Sequence, residues 1–232
     1  MLSNNPITLS LELSQREGFI SISNNEGKIV SCCVSVGRRD EDDLMPSIAN
    51  VAKQLSISPK QIELVVVSVG PGGFTSLRTS VAIAKMIAFS TGAKLVPVET
   101  SIVVANASRR GNGPFLVISS VKKESFWLSR VLFSGNKWIC ESRLTTTGEL
   151  ESGLDNIVCV FADSFLSDCA RTILRDHNIS IHPPIVNEIS LMEVGVRLYQ
   201  EGASITPHSL LPIYPREPDA VSKWNSSQYK SS

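Results

Sequence analysis

The sequence predicts an α/β fold built as two mixed-sheet halves, and three observations predict it. The chain opens on an alternating meander of three short strands, Ile7 to Ser14, Phe19 to Ser23 and Lys28 to Val36. A continuous β-branched run, Glu63 to Val69, then lies between two stretches of helical periodicity, as a strand covered on both faces does. After a Gly/Pro/Asn break at Arg109 to Pro114, the three-strand order starts again.

Each element has its own signal. In Ile7 to Ser14, Ile7, Leu9, Leu11 and Leu13 point one way and Thr8, Ser10, Glu12 and Ser14 the other, the pattern of a half-buried strand. Asn24-Asn25-Glu26-Gly27 is turn chemistry. Leu44, Ile48, Val51 and Leu55 mark a helix; Pro46 belongs to its first turn, which puts its start at 41–43 behind the acidic run Asp40 to Asp43. Ser58-Pro59-Lys60-Gln61 is a capping box opening a short helical turn. After Gly70-Pro71-Gly72-Gly73, Thr75 to Thr91 reads as a helix with Leu77, Val81, Ala84 and Ala88 on one face and Gly92 as its C′ residue. Lys94 to Val98 is a strand, and 101–109 a helix leading out.

The second pass is shorter. Phe115 to Val121, Ser125 to Phe133 and Trp138 to Thr145 are strands, with Trp127 and Trp138 expected in cross-strand packing. Ile157 to Ala162 is a further strand, and Ser167 to His177 a helix with Cys169, Ile173 and Leu174 inward. A capping box at Ser190 and Glu193 starts a last helix that Gly202 ends. The order βββαβαβ thus appears once in full and once reduced, which suggests the duplicated fold of the ribonuclease-H/actin type. The expected organisation is a first half over 1–105, with helix 190–202 packing back on it, a reduced second half over 106–189, and an extended tail over 207–232.

Composition excludes several functions. The chain has 232 residues, 42% of them apolar, and 22 basic against 22 acidic side chains. That supports a sizeable core and argues against disorder. Zero formal net charge argues against autonomous nucleic-acid binding. No apolar run approaches the roughly 18 residues of a membrane span, and the first residues lack the pattern of a secretory signal, so the cytoplasm is the expected compartment. The five cysteines form no CxxC and read as buried reduced thiols. No two of the three histidines are spaced as helical metal ligands, which argues against a metal site and against a metallopeptidase.

Gly70 to Arg78, GPGGFTSLR, carries the most information. A glycine-rich turn between a strand and a helix N-terminus either binds an anion or makes a tight strand-to-helix joint. It is neither a Walker A loop nor GxGxxG. The whole stretch Val67 to Ser101 resembles the signature of the TsaB (YeaZ) family, usually written GPGSFTGLR, with Gly73 in place of Ser and Ser76 in place of Gly. Leu44 to Ile48, Ser56 to Glu63 and Leu210 to Glu217 are similar to further segments of that family.

The resemblance implies an actin-like (ASKHA) fold. It also implies a non-catalytic partner of the catalytic paralogue TsaD, working with the ATPase TsaE to place a threonylcarbamoyl group on a tRNA adenosine, in the cytoplasm, and a homodimer when alone. The family pairs through its first helix and the helix after the glycine turn. Here the partner-facing candidates are Met45, Ala49 and Ala52, opposite the core side of the first helix, with Arg78, Ala82 and Lys85 on the second. Arg78 and Lys85 fit an acidic partner, such as the Asp40–Asp43 cluster of a second copy, or else form a solvated cationic stripe.

A vestigial nucleotide site would be formed by Glu12, Ser14, Gly70, Gly72, Gly73 and Thr75. Active relatives of the fold carry an Asp on the first strand of each half. Here those strands read Leu11-Glu12-Leu13-Ser14 and Ile118-Ser119-Ser120-Val121, so no working phosphoryl-transfer site and no required cofactor are expected, with ATP or ADP binding left open. The family's His-Ser pair is Asp40-Glu41 here. Asp163 reads as a helix-leading turn residue or a remnant nucleotide contact. The alternative function is a nucleotide-binding ATPase or small-molecule kinase of the same fold.

Overall fold

The computed structural model describes residues 5–35, 44–108, 110–122 and 124–215. Asp40 to Asp43, Arg109 and the tail from Arg216 onward lie outside the described residues. Two five-stranded sheets share one strand order. The first contains β1 (Thr8–Glu12), β2 (Glu17–Ser23), β3 (Ile29–Ser35), β4 (Leu64–Gly70) and β5 (Lys94–Glu99), in the order β3-β2-β1-β4-β5. The second contains β6 (Phe115–Lys122), β7 (Ser125–Ser134), β8 (Lys137–Thr146), β9 (Cys159–Ala162) and β10 (Ile181–His182), in the order β8-β7-β6-β9-β10. Within each sheet the first three strands are antiparallel and the last three parallel. This is the duplicated α/β fold of the actin type.

The helices are α1 (Leu44–Gln54), α2 (Phe74–Thr91), α3 (Thr100–Ser108), α4 (Asp168–Asp176) and α5 (Ser190–Gln200). The apolar clusters show the layering. Leu9, Leu11, Val65 and Val67 meet Val51 of α1 and Val81 and Ala84 of α2 on one face of the first sheet. Leu64, Val66 and Val96 on its other face meet Val103 of α3 and Leu191 of α5, and this same cluster includes Phe115, Val117 and Phe161 of the second sheet. The two sheets therefore sandwich α3 and α5, while α4 covers the far side of the second sheet through Ala170 and Leu174. Helix α5 comes so close that a Cβ on Gly195 would sit 2.1 Å from Val66 Cγ1.

Several expectations need correction. β1 is buried on both faces, because α5 covers the side that the alternation leaves polar; Ser10 and Glu12 are interior. The Ser58 capping box, by contrast, opens a short helical turn as expected, a 3₁₀ helix over Pro59–Gln61, with the Gln61 side-chain carbonyl accepting from the Ser58 N–H at 2.8 Å. The Ser190–Glu193 capping box does not form. Asn187 takes the cap instead, its Oδ1 accepting from the Ser190 N–H at 2.8 Å, and Glu193 accepts from Asn106. β10 is a two-residue strand too short for periodicity to reveal. The second half is reduced in its connections: two 3₁₀ turns, Thr147–Glu149 and Glu151–Gly153, replace the helix between its third and fourth strands. Trp138 faces Phe133 with centroids 4.9 Å apart, whereas Trp127 pairs with Leu144 and Ser119. Cys159 is buried, but Cys33 and Cys169 are exposed, so α4 turns Cys169 outward. Burial beside Glu99 pushes the Cys140 thiol up to about 11.

Candidate functional site: the glycine turn, the cleft and the outer helix face

The glycine turn is a tight joint between β4 and α2. Gly70 has φ +102, and a Cβ there would lie 2.8 Å from Leu77 Cδ1 and 3.2 Å from the Ile213 carbonyl, so both backbone and space require glycine. Gly72 lies against the chain leaving β1: a Cβ would meet the Ser14 carbonyl oxygen at 2.4 Å and Ser14 Cβ at 2.8 Å. Gly73 donates its N–H to the Ser14 carbonyl at 3.0 Å and is the N-cap residue of α2. Ser76, one turn in, donates its hydroxyl to the Gly73 carbonyl at 3.1 Å. Thr75 is exposed beside them.

Glu12 holds the other side of the joint. Its Oε1 accepts from the N–H of Ser14 at 2.9 Å and from the Ser14 hydroxyl. Its Oε2 is buried without a hydrogen-bond partner among the described residues, and the side chain is 1% exposed. Burial pushes the Glu12 carboxyl above its usual range, against the pull of the Ser14 hydroxyl and N–H and the Ser68 hydroxyl.

A cleft of about 1110 Å³ opens between the halves. Ser14, Gly72, Gly73, Thr75 and Ser76 line it on one side, and Ser119, Asp163, Phe165 and Ile185 on the other. Asp163 is the only described carboxylate on the second wall, and it is engaged. Its Oδ2 accepts from the Ser120 N–H at 2.7 Å, and its Oδ1 from the Ser120 hydroxyl at 2.7 Å and the Phe165 N–H at 2.9 Å. Asp163 is thus the organiser of the turn into α4. Among the described residues, no group of three His, Cys, Asp or Glu is placed to hold a metal ion, and no helix is long and apolar enough to cross a membrane.

The structure separates the two sets of candidate residues. Glu12, Ser14, Gly70, Gly72 and Gly73 converge on the joint, and Thr75 sits at the cleft edge. The others lie on the outer layer. Met45 and Ala49 of α1 and Arg78 and Ala82 of α2 are exposed, and Lys85 is half-buried. Ala52, expected beside Met45 and Ala49, is a correction: it is 6% exposed and packs in the core with Val51, on the sheet-facing side of α1.

Three large side chains missing from the candidate set complete that face: Phe74 (50% exposed), Met86 (52%) and Phe89 (78%). With Arg78 and Ala82 they recur at helical spacing, so the stripe was there to be found once Leu77, Val81, Ala84 and Ala88 were assigned inward. Tyr214 was not readable from spacing. It stacks on Phe74 at 5.0 Å, with the Arg78 guanidinium 5.1 Å from the same ring. It arrives there because Ile213 donates its N–H to the Val69 carbonyl at 2.7 Å, laying the C-terminal segment along the joint.

Residues 35–151 match the family described as TsaD: tRNA N6-adenosine threonylcarbamoyltransferase. The tRNA threonylcarbamoyladenosine biosynthesis protein TsaB of Buchnera aphidicola subsp. Acyrthosiphon pisum (strain APS) is 27% identical over 138 residues, which cover 58% of this chain and 62% of that protein. The match therefore spans less than two thirds of that relative's length. TsaB of Bacillus subtilis (strain 168) is 22% identical over 201 residues, 79% of this chain and 82% of that protein. YeaZ from Pseudomonas aeruginosa shares the fold at a TM-score of 0.72 and 12% identity, over 90% of this chain and 99% of that chain. A further Pseudomonas aeruginosa protein, described as similar to the peptidase YEAZ, superposes at 0.72 with 13% identity, over 91% of this chain and all of its own.

Proposed function

Because this chain belongs to the TsaD-type family, and within it to the TsaB/YeaZ group, we propose that it is a non-catalytic subunit of tRNA threonylcarbamoyladenosine biosynthesis in the cytoplasm. It docks a TsaD-type catalytic paralogue through the outer face of α1 and α2, recruits a TsaE-like ATPase to that complex, and pairs with itself when alone. The observation that carries this reading is the outward stripe of α2. Phe74, Met86 and Phe89 are large and exposed, around the small Ala82 that lets a partner helix approach closely. Arg78, and on α1 Met45 and Ala49, extend the face, and Lys85 adds charge at its edge. An acidic partner surface complements Arg78 and Lys85.

The test is titration of the full chain against the cognate TsaD-type paralogue by calorimetry, with size-exclusion chromatography. Ala82→Arg and Phe89→Asp should each weaken the complex by about tenfold or more while leaving the fold intact. No complex with the paralogue, or a complex indifferent to both substitutions, refutes the reading.

The cleft favours a second reading, a nucleotide-binding ATPase of the actin type. Two features speak against it. Glu12 is sealed beneath Ser14, in surroundings that favour its neutral form, and Asp163 is engaged by Ser120 and Phe165. Neither carboxylate is free to clamp a metal-bound phosphate. Tight binding of ATP with Mg²⁺, and turnover lost in Glu12→Ala, would establish the second reading over the first.

A further inference from the structure

Resting on the docking reading above, we propose that Glu12 is a positioning residue: through Ser14 it fixes the glycine turn, and thereby sets how α2 presents its docking face. The contacts run in series. Glu12 Oε1 takes both the N–H and the hydroxyl of Ser14, which fixes that residue's backbone and side chain together. The Ser14 carbonyl then takes the Gly73 N–H at 3.0 Å. Gly72 lies so close that any Cβ would overlap Ser14, so the turn has no room to slide past it. Gly73 starts α2, its carbonyl accepts from the Leu77 N–H at 3.0 Å, and the next residue is Phe74, the first member of the outward stripe. A shift of Ser14 is therefore delivered to Phe74 and Arg78 across two hydrogen bonds.

The second half supports this assignment independently. There Asp163 takes the N–H and the hydroxyl of Ser120, near the end of that half's first strand, and holds the turn into α4 through the Phe165 N–H. In both halves one carboxyl grips both donors of one serine and joins the first strand to the turn before a helix. The carboxyl sits on the first strand in one half and after the fourth strand in the other. A carboxyl used twice in the same way, on a strand in one half and in a turn in the other, marks a mechanical role that does not depend on its place in the sequence.

The experiment compares wild type, Glu12→Gln, Glu12→Ala and Ser14→Ala as full chains. Hydrogen–deuterium exchange is read at the Gly73 and Leu77 amides, and affinity for the cognate TsaD-type paralogue is measured alongside. Glu12→Ala should speed exchange at these two amides by about tenfold and weaken paralogue binding by about tenfold, with amides of β6 to β9 unchanged. Glu12→Gln keeps the Oε1 acceptor and should stay within about twofold of wild type on both readouts. Should Glu12→Ala not fold, Ser14→Ala carries the test: it removes one of the two donors and should speed the same amides by about threefold. Wild-type exchange in Glu12→Ala or Ser14→Ala, or a Glu12→Gln as fast as Glu12→Ala, overturns the proposal. If the wild-type chain does not bind the paralogue, the docking reading fails, and exchange alone decides whether Glu12 fixes the turn.

Discussion

Positions 73 and 76 should behave as one unit. The family signature that this chain resembles carries Ser then Gly at these places; this chain carries Gly73 then Ser76. A Cβ on Gly73 would lie 2.8 Å from Ser76 Oγ, so only one of the two can hold its side chain in this geometry. Gly73 itself has φ −59 and ψ 120, which serine adopts without strain. In Gly73→Ser the Ser76 hydroxyl has to leave the Gly73 carbonyl. That forfeits a hydrogen bond of about 1 kcal/mol at a site 8% exposed, and the new N-cap serine returns only a few tenths. The single substitution should therefore cost about 0.5–1 kcal/mol. Ser76→Gly should cost roughly 1–2 kcal/mol, from the same bond and from glycine in the first helical turn. In the double variant the conflict is gone, and the serine introduced by Gly73→Ser caps the helix in place of Ser76. That variant loses the Ser76 bond once rather than twice and should cost no more than Ser76→Gly alone, a favourable coupling of about 1 kcal/mol. Urea unfolding of the four proteins reads this directly. As melting points, Gly73→Ser should fall by about 1–4 °C and Ser76→Gly by about 2–8 °C. Additive effects, to within about 0.5 kcal/mol, would refute the steric account of the exchange.

Four other outcomes follow from the packing and the charges. Gly195→Ala drives a methyl into Val66, 2.1 Å from Cγ1 and 2.5 Å from Cγ2, and should cost about 2–3 kcal/mol, partly recovered by Val66→Ala. Gly148→Ala, with open space around it, should change the unfolding free energy read in urea by no more than about 0.5 kcal/mol. Burial raises the folded-state pKa of Glu12 above the unfolded value, so its contribution to stability is fully present below the unfolded pKa and is lost as pH rises through the folded one. Glu12→Gln should flatten that fall in urea unfolding across the acidic to neutral range; an unchanged pH profile would count against a buried neutral carboxyl. Ala82→Arg should weaken paralogue binding by about tenfold or more without lowering the melting point by more than about 2 °C, because Ala82 faces outward.

What the sequence made legible is what periodicity and turn chemistry encode. The β-branched run of β4, the inward stripe of α2 and the αL glycine at 92 all lie where their patterns put them. What it hid depends on contacts between distant segments. β1 reads as half-buried because its polar side is covered by α5, which comes from the far end of the chain. Ala52 reads as outward because a short helix leaves the width of its buried arc open, and α1 buries Ile48, Val51 and Ala52 together. The candidate site was split in the same way. The glycines were visible as glycines, but the reason for Gly72 is the backbone of Ser14, and for Gly70 in part the carbonyl of Ile213. Tyr214 joins the outer face through the main-chain bond of its neighbour Ile213 to Val69, which no local pattern announces.

The two serine-gripping carboxyls bear on the chemistry of the cleft as well as on its mechanics. An acid that accepts from three fixed donors has few lone pairs left for a ligand, and one sealed under its own serine keeps its free oxygen out of a ligand's reach. The cleft surface between them presents hydroxyls at Thr75, Ser119 and Ser164, apolar groups at Phe165 and Ile185, and the exposed carboxylate of Glu17 where β2 begins. Its cations add little: Arg171 donates to the Leu166 and Asp163 carbonyls at 3.1 and 3.3 Å, and Arg16 is exposed at the rim. Hydroxyls and aromatic edges do not neutralise the charge that builds up on a transferring phosphoryl group, which needs positioned cations or metal-bound carboxylates. The outer face of α2 has the opposite character: large exposed apolar groups, a small residue between them and cationic side chains at hand, a composition that favours a protein partner over a small substrate. In this fold the same joint serves both surfaces. Glu12, Ser14 and Gly72 close off the inner side of the turn, and the helix that starts from it carries the outer one.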